Sequence, residues 1–337
     1  MAEKIGKRSV KLQKNIFVNS YAAAVGKLEG EGPLGKGFDK VFEDELLGEK
    51  SFEKAESRLQ QTSLAAALKK GGFTPQDIDA VFAGDLLNQC VGSSYGLRDF
   101  GIPFIGLFGA CSTMALSLIS AANLIESGAA NRAAAVTSSH FCSAERQFRF
   151  PLEYGGQRPQ TSQWTVTGSG AAVLSTARSN IRISRFTVGK IVDLGINDMN
   201  NMGAAMAPAA ADTIESFLSD TGSAPTDYDL ILTGDLGYTG SALLKEILSQ
   251  DKIDISKVHN DCGKMIFHRK RQDVHSGGSG CGCSASVLCS EVFERLRNGA
   301  YKNILFCATG ALMSPTVSNQ GETIPSIAHL LNIVSEA

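Results

Sequence analysis

The sequence lacks long hydrophobic runs and any marked excess of charge, and both absences narrow the class of protein. Its apolar stretches reach only about 6–8 residues, whereas a membrane-spanning helix needs about 20. Lys and Arg number 32 against 34 Asp and Glu, a formal net charge of −2, so composition gives little support for nucleic-acid binding. Residues 1–14 are polar and basic, without the apolar core of a secretory signal peptide. We therefore expect a soluble protein, at most peripheral to a membrane.

Cysteine is present, but not in the patterns that form disulfide frameworks or metal sites. Eight cysteines are scattered along 337 residues, with no C-x-x-C pair, and the spacing of Cys281 and Cys283 is too weak a signal for a metal site. We expect free thiols in a reducing compartment and predict no metal ligands. With 43% apolar residues, the chain can bury the core of one large or two ordinary domains.

One cysteine lies at a position typical of a nucleophile. The apolar run 102–108 predicts a buried strand, small residues follow it, and Cys111 comes directly before a helical pattern over 112–127. Near a helix N-terminus, unpaired N–H groups and the helix dipole favour a thiolate. A strand, a tight turn and a nucleophile that opens a helix form a common covalent active site. A first hypothesis is therefore an enzyme that uses Cys111.

Short apolar strands alternate with helical patterns, which predicts layers of helices around mainly buried strands. The predicted strands are 15–19, 79–84, 103–108, 132–138, 169–175, 182–190, 229–234, 257–260, 303–308 and 324–334. The predicted helices are 52–70, 112–127, 205–218, 241–248 and 285–298. Segment 29–38 is predicted to be an ordered loop.

The chain also repeats itself over a long period. Segment 77–85 recurs as 227–235, and each copy has a polar entry, an apolar strand and a final Gly-Asp, so that Asp85 corresponds to Asp235. A helix stop followed by a strand recurs in the same order, which argues against chance similarity between two buried strands. We predict two pseudo-equivalent halves, residues 1–177 and 178–337. The first carries an aromatic, turn-rich insertion over 141–167, which we expect to form a lid, a substrate wall or an interface.

Motifs in order along the chain carry a resemblance to a known family. They include AGDLLNQ at 83–89, FGACST at 108–113, EYGGQ at 153–157, TVTGSG at 165–170, MAPAAADT at 206–213, GGSGC at 277–281 and ATGAL at 308–312. Together they resemble the stage V sporulation protein AD family of the thiolase-like superfamily, from about residue 16 to residue 328. The resemblance implies an α/β protein with a five-layered α/β/α/β/α fold.

The resemblance also implies a function. A member of this family binds dipicolinic acid (pyridine-2,6-dicarboxylate) and takes part in its uptake into the developing spore, together with integral membrane proteins of the same sporulation operon. We accordingly expect a homodimer, cytoplasmic and peripheral at the forespore or inner spore membrane, with no nucleic acid as partner. No cofactor is expected, and whether Ca²⁺ accompanies dipicolinate is left open.

The catalytic partners of thiolase-like enzymes are missing from the matching positions. Those enzymes use His-His or His-Asn pairs to stabilise an oxyanion and to move protons. Here Gly234-Asp235 follows the matching strand, and the glycine-rich turn 276–281 holds neither His nor Asn. An aspartate cannot stabilise an oxyanion, and its charge raises the pKa of a nearby thiol. The sequence favours a non-catalytic binding pocket; the alternative is an acyl-thioester condensing enzyme with Cys111 as nucleophile.

The candidate ligand-binding residues surround this cysteine. Backbone N–H groups at 110–112 and in the turn 277–281 suit an anion, and Gly310 belongs to a loop that resembles the one closing the pocket in this fold. Asp85 and Asp235 either cap neighbouring turns or line the pocket. Arg146 either pairs with ligand carboxylates or forms a salt bridge within the insertion, with Glu145 or Glu153. The predicted set is Cys111, Ala110, Asp85, Asp235, Ser279, Cys281, Gly310 and Arg146.

Overall fold

The computed structural model describes residues 2–148 and 157–337. Its strands are β1 Glu3–Ile5, β2 Ser9–Val25, β3 Lys40–Val41, β4 Ala80–Gly84, β5 Phe104–Gly106, β6 Arg132–Ser139, β7 Trp164–Thr165, β8 Gly168–Ser175, β9 Ile181–Thr187, β10 Leu230–Thr233, β11 His259–Asp261, β12 Gly278–Ser279, β13 Asn303–Ala311 and β14 Ser326–Ser335. Its helices are α1 Lys27–Gly30, α2 Phe52–Gly71, α3 Val91–Leu97, α4 Thr113–Ser127, α5 Phe141–Phe148, α6 Met202–Thr221, α7 Gly237–Gln250, α8 Cys262–Met265, α9 Cys281–Val287, α10 Phe293–Arg297 and α11 Pro315–Ser318.

The long helices begin and end at residues suited to those positions. The Ser51 hydroxyl accepts the Lys54 N–H at the start of α2, and the Asn201 side chain accepts the Ala204 N–H at the start of α6, as N-capping residues do. Both helices end at a glycine in the left-handed region, Gly72 with φ 68° and Gly222 with φ 64°. Such a conformation costs glycine little. Two helices in corresponding positions thus have the same type of start and stop.

Strand order shows the internal repeat directly. In the first half the order is β5-β4-β6-β8-β2, and in the second it is β11-β10-β13-β14-β9. In each half the first three strands are parallel and the remaining pairings are antiparallel. The two half-sheets join where β2 pairs antiparallel with β9. The chain therefore has two pseudo-equivalent halves, while the boundary at residues 177/178 stays a prediction.

Helices cover these half-sheets in layers. The central helix α4 packs on β4 and β6 of the first half and on β13 and β14 of the second, and α9 packs beside it. Helices α2 and α3 cover the outer face of the first half-sheet, and α6 and α7 cover that of the second. Apolar clusters fill each space between the layers. Within residues 2–148 and 157–337, no helix is long and apolar enough to cross a bilayer.

The structure corrects three expectations. The run 102–108 was expected to be a buried strand, but β5 spans only Phe104–Gly106 and all three residues are exposed, because β5 is the outermost strand and pairs only with β4. Segment 29–38, expected to be a loop, includes the end of α1 and a 3₁₀ turn at Gly35–Gly37. Helices α6 and α7 begin three and four residues before the predicted starts, since boundaries are the weakest part of such predictions.

Candidate functional site

Cys111 lies in a tight turn two residues before α4. Ala110 has a left-handed backbone with φ 49°, which is uncommon outside glycine. The Ser112 hydroxyl donates to the Gly109 carbonyl at 2.6 Å, and the Thr113 hydroxyl donates to the Ala110 carbonyl at 2.6 Å. These local bonds hold the turn in its strained conformation. The expected position of Cys111 near a helix N-terminus is therefore confirmed.

Gly310 packs against this turn from the last parallel strand of the second half. A Cβ at Gly310 would lie 2.4 Å from the Gly109 carbonyl oxygen and 3.3 Å from the Cys111 nitrogen, so only glycine fits. Two N–H groups of the turn are already used, because Ser112 donates to Gly109 at 3.1 Å and Thr113 to Ala110 at 3.3 Å. The helix N-terminus thus offers an anion fewer donors than the sequence predicts.

A narrow pocket opens above Cys111. The volume that the centre of a water molecule can occupy in this pocket is about 40 Å³, which is room for a few waters. Its walls are mainly apolar and aromatic, with hydroxyl, thiol and carboxyl groups between them. The lining residues are Leu86, Phe108, Ala110, Cys111, Ala144, Glu145, Phe148, Thr165, Met202, Ser279, Ala311 and Met313. Of the predicted ligand-binding residues, Ala110, Cys111 and Ser279 line this pocket.

Asp235 lies directly behind the pocket and is fully buried. The Ser279 hydroxyl and the Gly280 N–H donate to one carboxylate oxygen, at 3.2 and 2.8 Å, and the Thr309 hydroxyl donates to the other at 2.8 Å. The Cys111 thiol also hydrogen-bonds to this carboxylate. Burial raises the pKa of Asp235, and these four donors oppose the rise. Asp235 thereby ties the cysteine turn to the glycine-rich turn.

This arrangement makes Cys111 a poor nucleophile. Burial raises the pKa of the Cys111 thiol well above its usual value, and the charge and hydrogen bond of Asp235 raise it further, against smaller opposing effects of Gly280 and Ser279. The thiolate is the reactive form of cysteine, so a neutral thiol at this place is inert. The sequence predicts that the charge of Asp235 raises the pKa of this thiol, and the structure gives a shift in the same direction.

Asp85, the counterpart of Asp235, lies outside the pocket. One of its carboxylate oxygens accepts the Leu87 N–H at 2.9 Å, and the other accepts the N–H and hydroxyl of Ser93 at 2.7 and 2.5 Å. A second buried acid, Glu56, lies nearby. Burial raises the pKa of Glu56 well above its usual value, and the charge of Asp85 raises it further. Asp85 therefore fixes the loop between β4 and α3, as the capping alternative has it.

Two further predicted residues also lie off the pocket wall. Cys281 is fully buried, and its thiol donates to the Ser138 carbonyl at 2.9 Å, although it packs in one apolar cluster with Leu86 and Cys111. Arg146 is exposed and forms an ion pair with Glu53, neither of the partners proposed for it from sequence; of these, Glu153 lies outside the described residues.

Several lining residues escaped the sequence analysis. Glu145 and Phe148 come from α5, within the predicted insertion, and both face the pocket. Met202 comes from the first turn of α6, and Met313 follows β13. The insertion is expected to form a lid, a substrate wall or an interface, and the second alternative could have singled out its aromatic and acidic residues. No local pattern distinguishes Met202 or Met313 from methionines that only pack.

The fold and this site define a class. The chain has the fold of thiolase-like condensing enzymes, as two solved structures show: 3-oxoacyl-[acyl-carrier-protein] synthase III from Aquifex aeolicus VF5 (TM-score 0.55, 12% identity, 95% of this chain and 99% of that chain) and a variant of OleA from Xanthomonas campestris (TM-score 0.60, 15% identity, 96% and 99%). At such low identity the likeness concerns the fold alone.

Sequence similarity then narrows the class to a family. The family model for stage V sporulation protein AD (SpoVAD) matches residues 6–334. Stage V sporulation protein AD of Bacillus subtilis (strain 168) is 49% identical over 324 residues, which cover 96% of each chain. The chain belongs to the stage V sporulation protein AD family, and the resemblance seen in its motifs is confirmed.

Proposed function

We propose that this protein binds dipicolinic acid in the Cys111 pocket, without catalysing a reaction, and takes part in its uptake into the developing spore. Membership of a sporulation family supports the biological context. The observation that carries the non-catalytic part is the Asp235 carboxylate beside the Cys111 thiol, since it raises the pKa of the group that a condensing enzyme needs as a thiolate. Dipicolinate as the ligand rests on what the family resemblance implies.

The pocket walls suit a flat aromatic ring. Phe108, Phe148 and Met202 offer apolar faces, and Thr165 offers a hydroxyl. The Ser279 hydroxyl donates to Asp235 at 3.2 Å and donates to a ligand carboxylate by turning away from Asp235. Because the open space is small, a ring of this size enters only when a wall side chain such as Phe148 or Met313 moves. Among residues 2–148 and 157–337, no group of three or more His, Cys, Asp or Glu could hold a metal ion.

A calorimetric titration with dipicolinate, with and without calcium, tests this function. We expect saturable binding that Ser279→Ala weakens and that Cys307→Ala, an alteration of a buried cysteine outside the pocket lining, leaves unchanged. No binding at millimolar dipicolinate under either condition contradicts the proposal. Acyl transfer from acyl-CoA to Cys111, seen as an added mass on the intact protein, would favour the condensing-enzyme alternative instead.

The homodimer is part of the proposal. Within the described residues, β5 pairs on one side only, and Phe104, Ile105 and Phe108 around it are 40–50% exposed. An open edge strand with apolar neighbours invites pairing with a second copy about a two-fold axis. Because Phe108 also lines the pocket, that copy would shield its mouth. Light scattering should give a dimer, and Ile105→Pro should give a monomer; a wild-type monomer at micromolar concentration contradicts this part.

The cellular setting completes the proposal. We expect the protein at the cytoplasmic face of the forespore or inner spore membrane, held there by integral membrane proteins of the same operon. Co-purification from sporulating cells tests this expectation. Recovery of membrane proteins with wild type and with a pocket variant such as Ser279→Ala supports it, whereas recovery with neither contradicts it.

A further inference from the structure

A short two-stranded ribbon joins the predicted insertion to the glycine-rich turn. Strand β7 pairs parallel with β12, and the Trp164 N–H donates to the Gly277 carbonyl at 2.8 Å. Strand β7 belongs to the first half of the chain, and β12 belongs to the second. Thr165 and Ser279 are partners in this ladder, and both line the pocket. The insertion and the second half therefore build this part of the pocket wall together.

Gln163 directly precedes this ribbon, and its side chain is buried. Its Nε2 donates to the Asp235 carbonyl at 2.6 Å and to the Gly278 carbonyl at 2.8 Å. Carbonyl oxygens only accept hydrogen bonds, so a side chain that bonds to both of them must present an NH₂ group. A carboxylate or a thioether of similar size has no such donor. The two contacts therefore require an amide at this position.

The two carbonyls belong to separate turns of the second half, and these turns meet at the Asp235 carboxylate. The glycine-rich turn supplies the Ser279 hydroxyl and the Gly280 N–H to one carboxylate oxygen, at 3.2 and 2.8 Å. The Cys111 thiol also hydrogen-bonds to this carboxylate. All three contacts depend on how far apart the two turns lie. The Gln163 amide bonds to the backbone of both turns and thereby fixes that separation.

The first half contains a buried glutamine with similar contacts, but away from the pocket. Gln60 of α2 is fully buried, and its Nε2 donates to the Gly84 carbonyl at 3.1 Å and to the hydroxyls of Ser93 and Ser138 at 2.8 and 2.9 Å. Gly84 directly precedes Asp85, and none of these described residues lines the pocket. The two glutamines are therefore alike in chemistry and burial, and they differ in the turns to which they bond.

We infer that Gln163 is a positioning residue of the binding site, whose NH₂ group holds the Asp235 turn and the glycine-rich turn together where Ser279 and Cys111 meet the ligand. The inference rests on the proposed function and assigns a role in it to the insertion. Gln163 is not itself a lining residue of the pocket. It therefore acts through Asp235 and Ser279 and not by touching the ligand.

Calorimetric titration of Gln163→Met with dipicolinate tests the inference. Methionine is close to glutamine in size but lacks the NH₂ group, so both carbonyls lose their donor. We expect the affinity to fall about fivefold or more, the equivalent of one hydrogen bond. Gln60→Met is the matched control, because it removes the same group from a fully buried position of the first half. Both variants should lose stability in urea, but the affinity of Gln60→Met should equal that of wild type. Equal affinities in the two variants contradict the inference.

Alkylation of Cys111 by iodoacetamide at pH 8 distinguishes positioning from a general loosening of the structure. Displacement of the Asp235 carboxylate in Gln163→Met should make Cys111 react faster, because the charge of that carboxylate opposes formation of the thiolate. Added to Asp235→Asn, Gln163→Met should have no further effect, since both changes act through the same carboxylate. Cys307, which is fully buried and outside the pocket lining, should keep its wild-type rate. Additive effects at Cys111, or a faster reaction of Cys307 as well, contradict the inference.

Gln163→Asn decides the question if Gln163→Met does not fold. Asparagine keeps the NH₂ group but is one methylene shorter, so it cannot keep both contacts at their present distances. Its affinity for dipicolinate should be below that of wild type, and its Cys111 should react faster. Wild-type values of both quantities in this variant would overturn the inference. If wild type itself does not bind dipicolinate, the proposed function fails, whereas the alkylation rates still show whether Gln163 positions Asp235.

Discussion

Asp85 and Asp235 follow corresponding strands, each as the second residue of a Gly-Asp motif, yet they have different roles. Asp85 takes its hydrogen bonds from Leu87 and Ser93, two and eight residues along the chain. Asp235 takes them from residues 44 to 74 positions away, among them Ser279 and Thr309, and from Cys111 of the other half. The first aspartate fixes its own loop, and the second joins both halves of the molecule at the pocket.

The difference shows how one half of a duplicated fold can keep a structural role while the other forms a site. The hydrogen-bond donors of Asp85 lie within the loop that follows its own strand. The donors of Asp235 lie on separate segments around the pocket, so its hydrogen bonds depend on how those segments pack together. The comparison can be tested by changes that affect the two halves unequally.

The largest expected effect is on stability, from replacing each aspartate by asparagine. Both oxygens of Asp85 accept backbone N–H groups, so an amide NH₂ must face one of them, and we expect Asp85→Asn to cost about 3 kcal/mol. Asp235→Asn can point its NH₂ at the Thr309 hydroxyl, which can also accept, and should cost about 1 kcal/mol. Urea denaturation measures both. Equal losses of unfolding free energy in the two variants would mean that the kind of hydrogen-bond donor does not determine the cost of the substitution.

The next effect concerns pH and compares a buried acid in each half. Burial raises the pKa of Glu29 to about 8 and that of Asp261 to about 7. The folded state therefore holds protons that the unfolded state loses above pH 4–5. This contribution to stability is complete below about pH 4; it declines as the pH rises from there to about 7 for Asp261 and to about 8 for Glu29, and is constant above. We expect the free energy of unfolding to fall by several kcal/mol between pH 5 and 8.5, since each group contributes about 1.4 kcal/mol per pH unit up to its folded-state pKa.

Glu29→Gln separates the two contributions. Glutamine keeps an oxygen for the Thr167 N–H, which Glu29 accepts at 2.9 Å, but cannot ionise. The decline between about pH 7 and 8 should disappear, and a shallower decline that ends near pH 7, owed to Asp261, should remain. Asp220→Asn is the control, because the pKa of Asp220 is about 2 and lies outside this range. An unchanged pH profile in Glu29→Gln would contradict the assignment.

A smaller effect is expected on the reactivity of Cys111. Burial and the charge of Asp235 both raise the pKa of the thiol; Asp235→Asn removes that charge, so alkylation of Cys111 by iodoacetamide at pH 8 should become faster. Glu56→Gln removes a buried acid of the first half, whose Ser138 and Ser143 partners can reverse their hydroxyls, and should not change the rate. Peptide mass spectrometry identifies the modified cysteine. A similar acceleration in both variants would point to a general loosening of the structure.

The comparison also explains which parts of the site the sequence could predict. Cys111 and the repeated Gly-Asp ends are local patterns, and the structure bears out the cysteine turn and the pairing of the halves. The exposure of β5 was not predictable, because an apolar run of the same composition occurs in buried strands and only the position in the sheet decides. The role of Asp235 depends on donors far away in sequence, and no local pattern shows that Met202 and Met313 meet in the pocket wall.

The smallest effect is expected at Arg146, predicted from sequence as a candidate for binding carboxylates. In the structure its guanidinium pairs with Glu53 of α2, and the side chain is 59% exposed. Exposed ion pairs contribute little, so Arg146→Gln should change stability by less than about 0.5 kcal/mol. Its effect on dipicolinate affinity should be less than about twofold, clearly below that of Ser279→Ala. A tenfold loss of affinity would instead mean that Arg146 leaves Glu53 and turns to the ligand, and the first half would then supply the positive charge that the described lining residues lack.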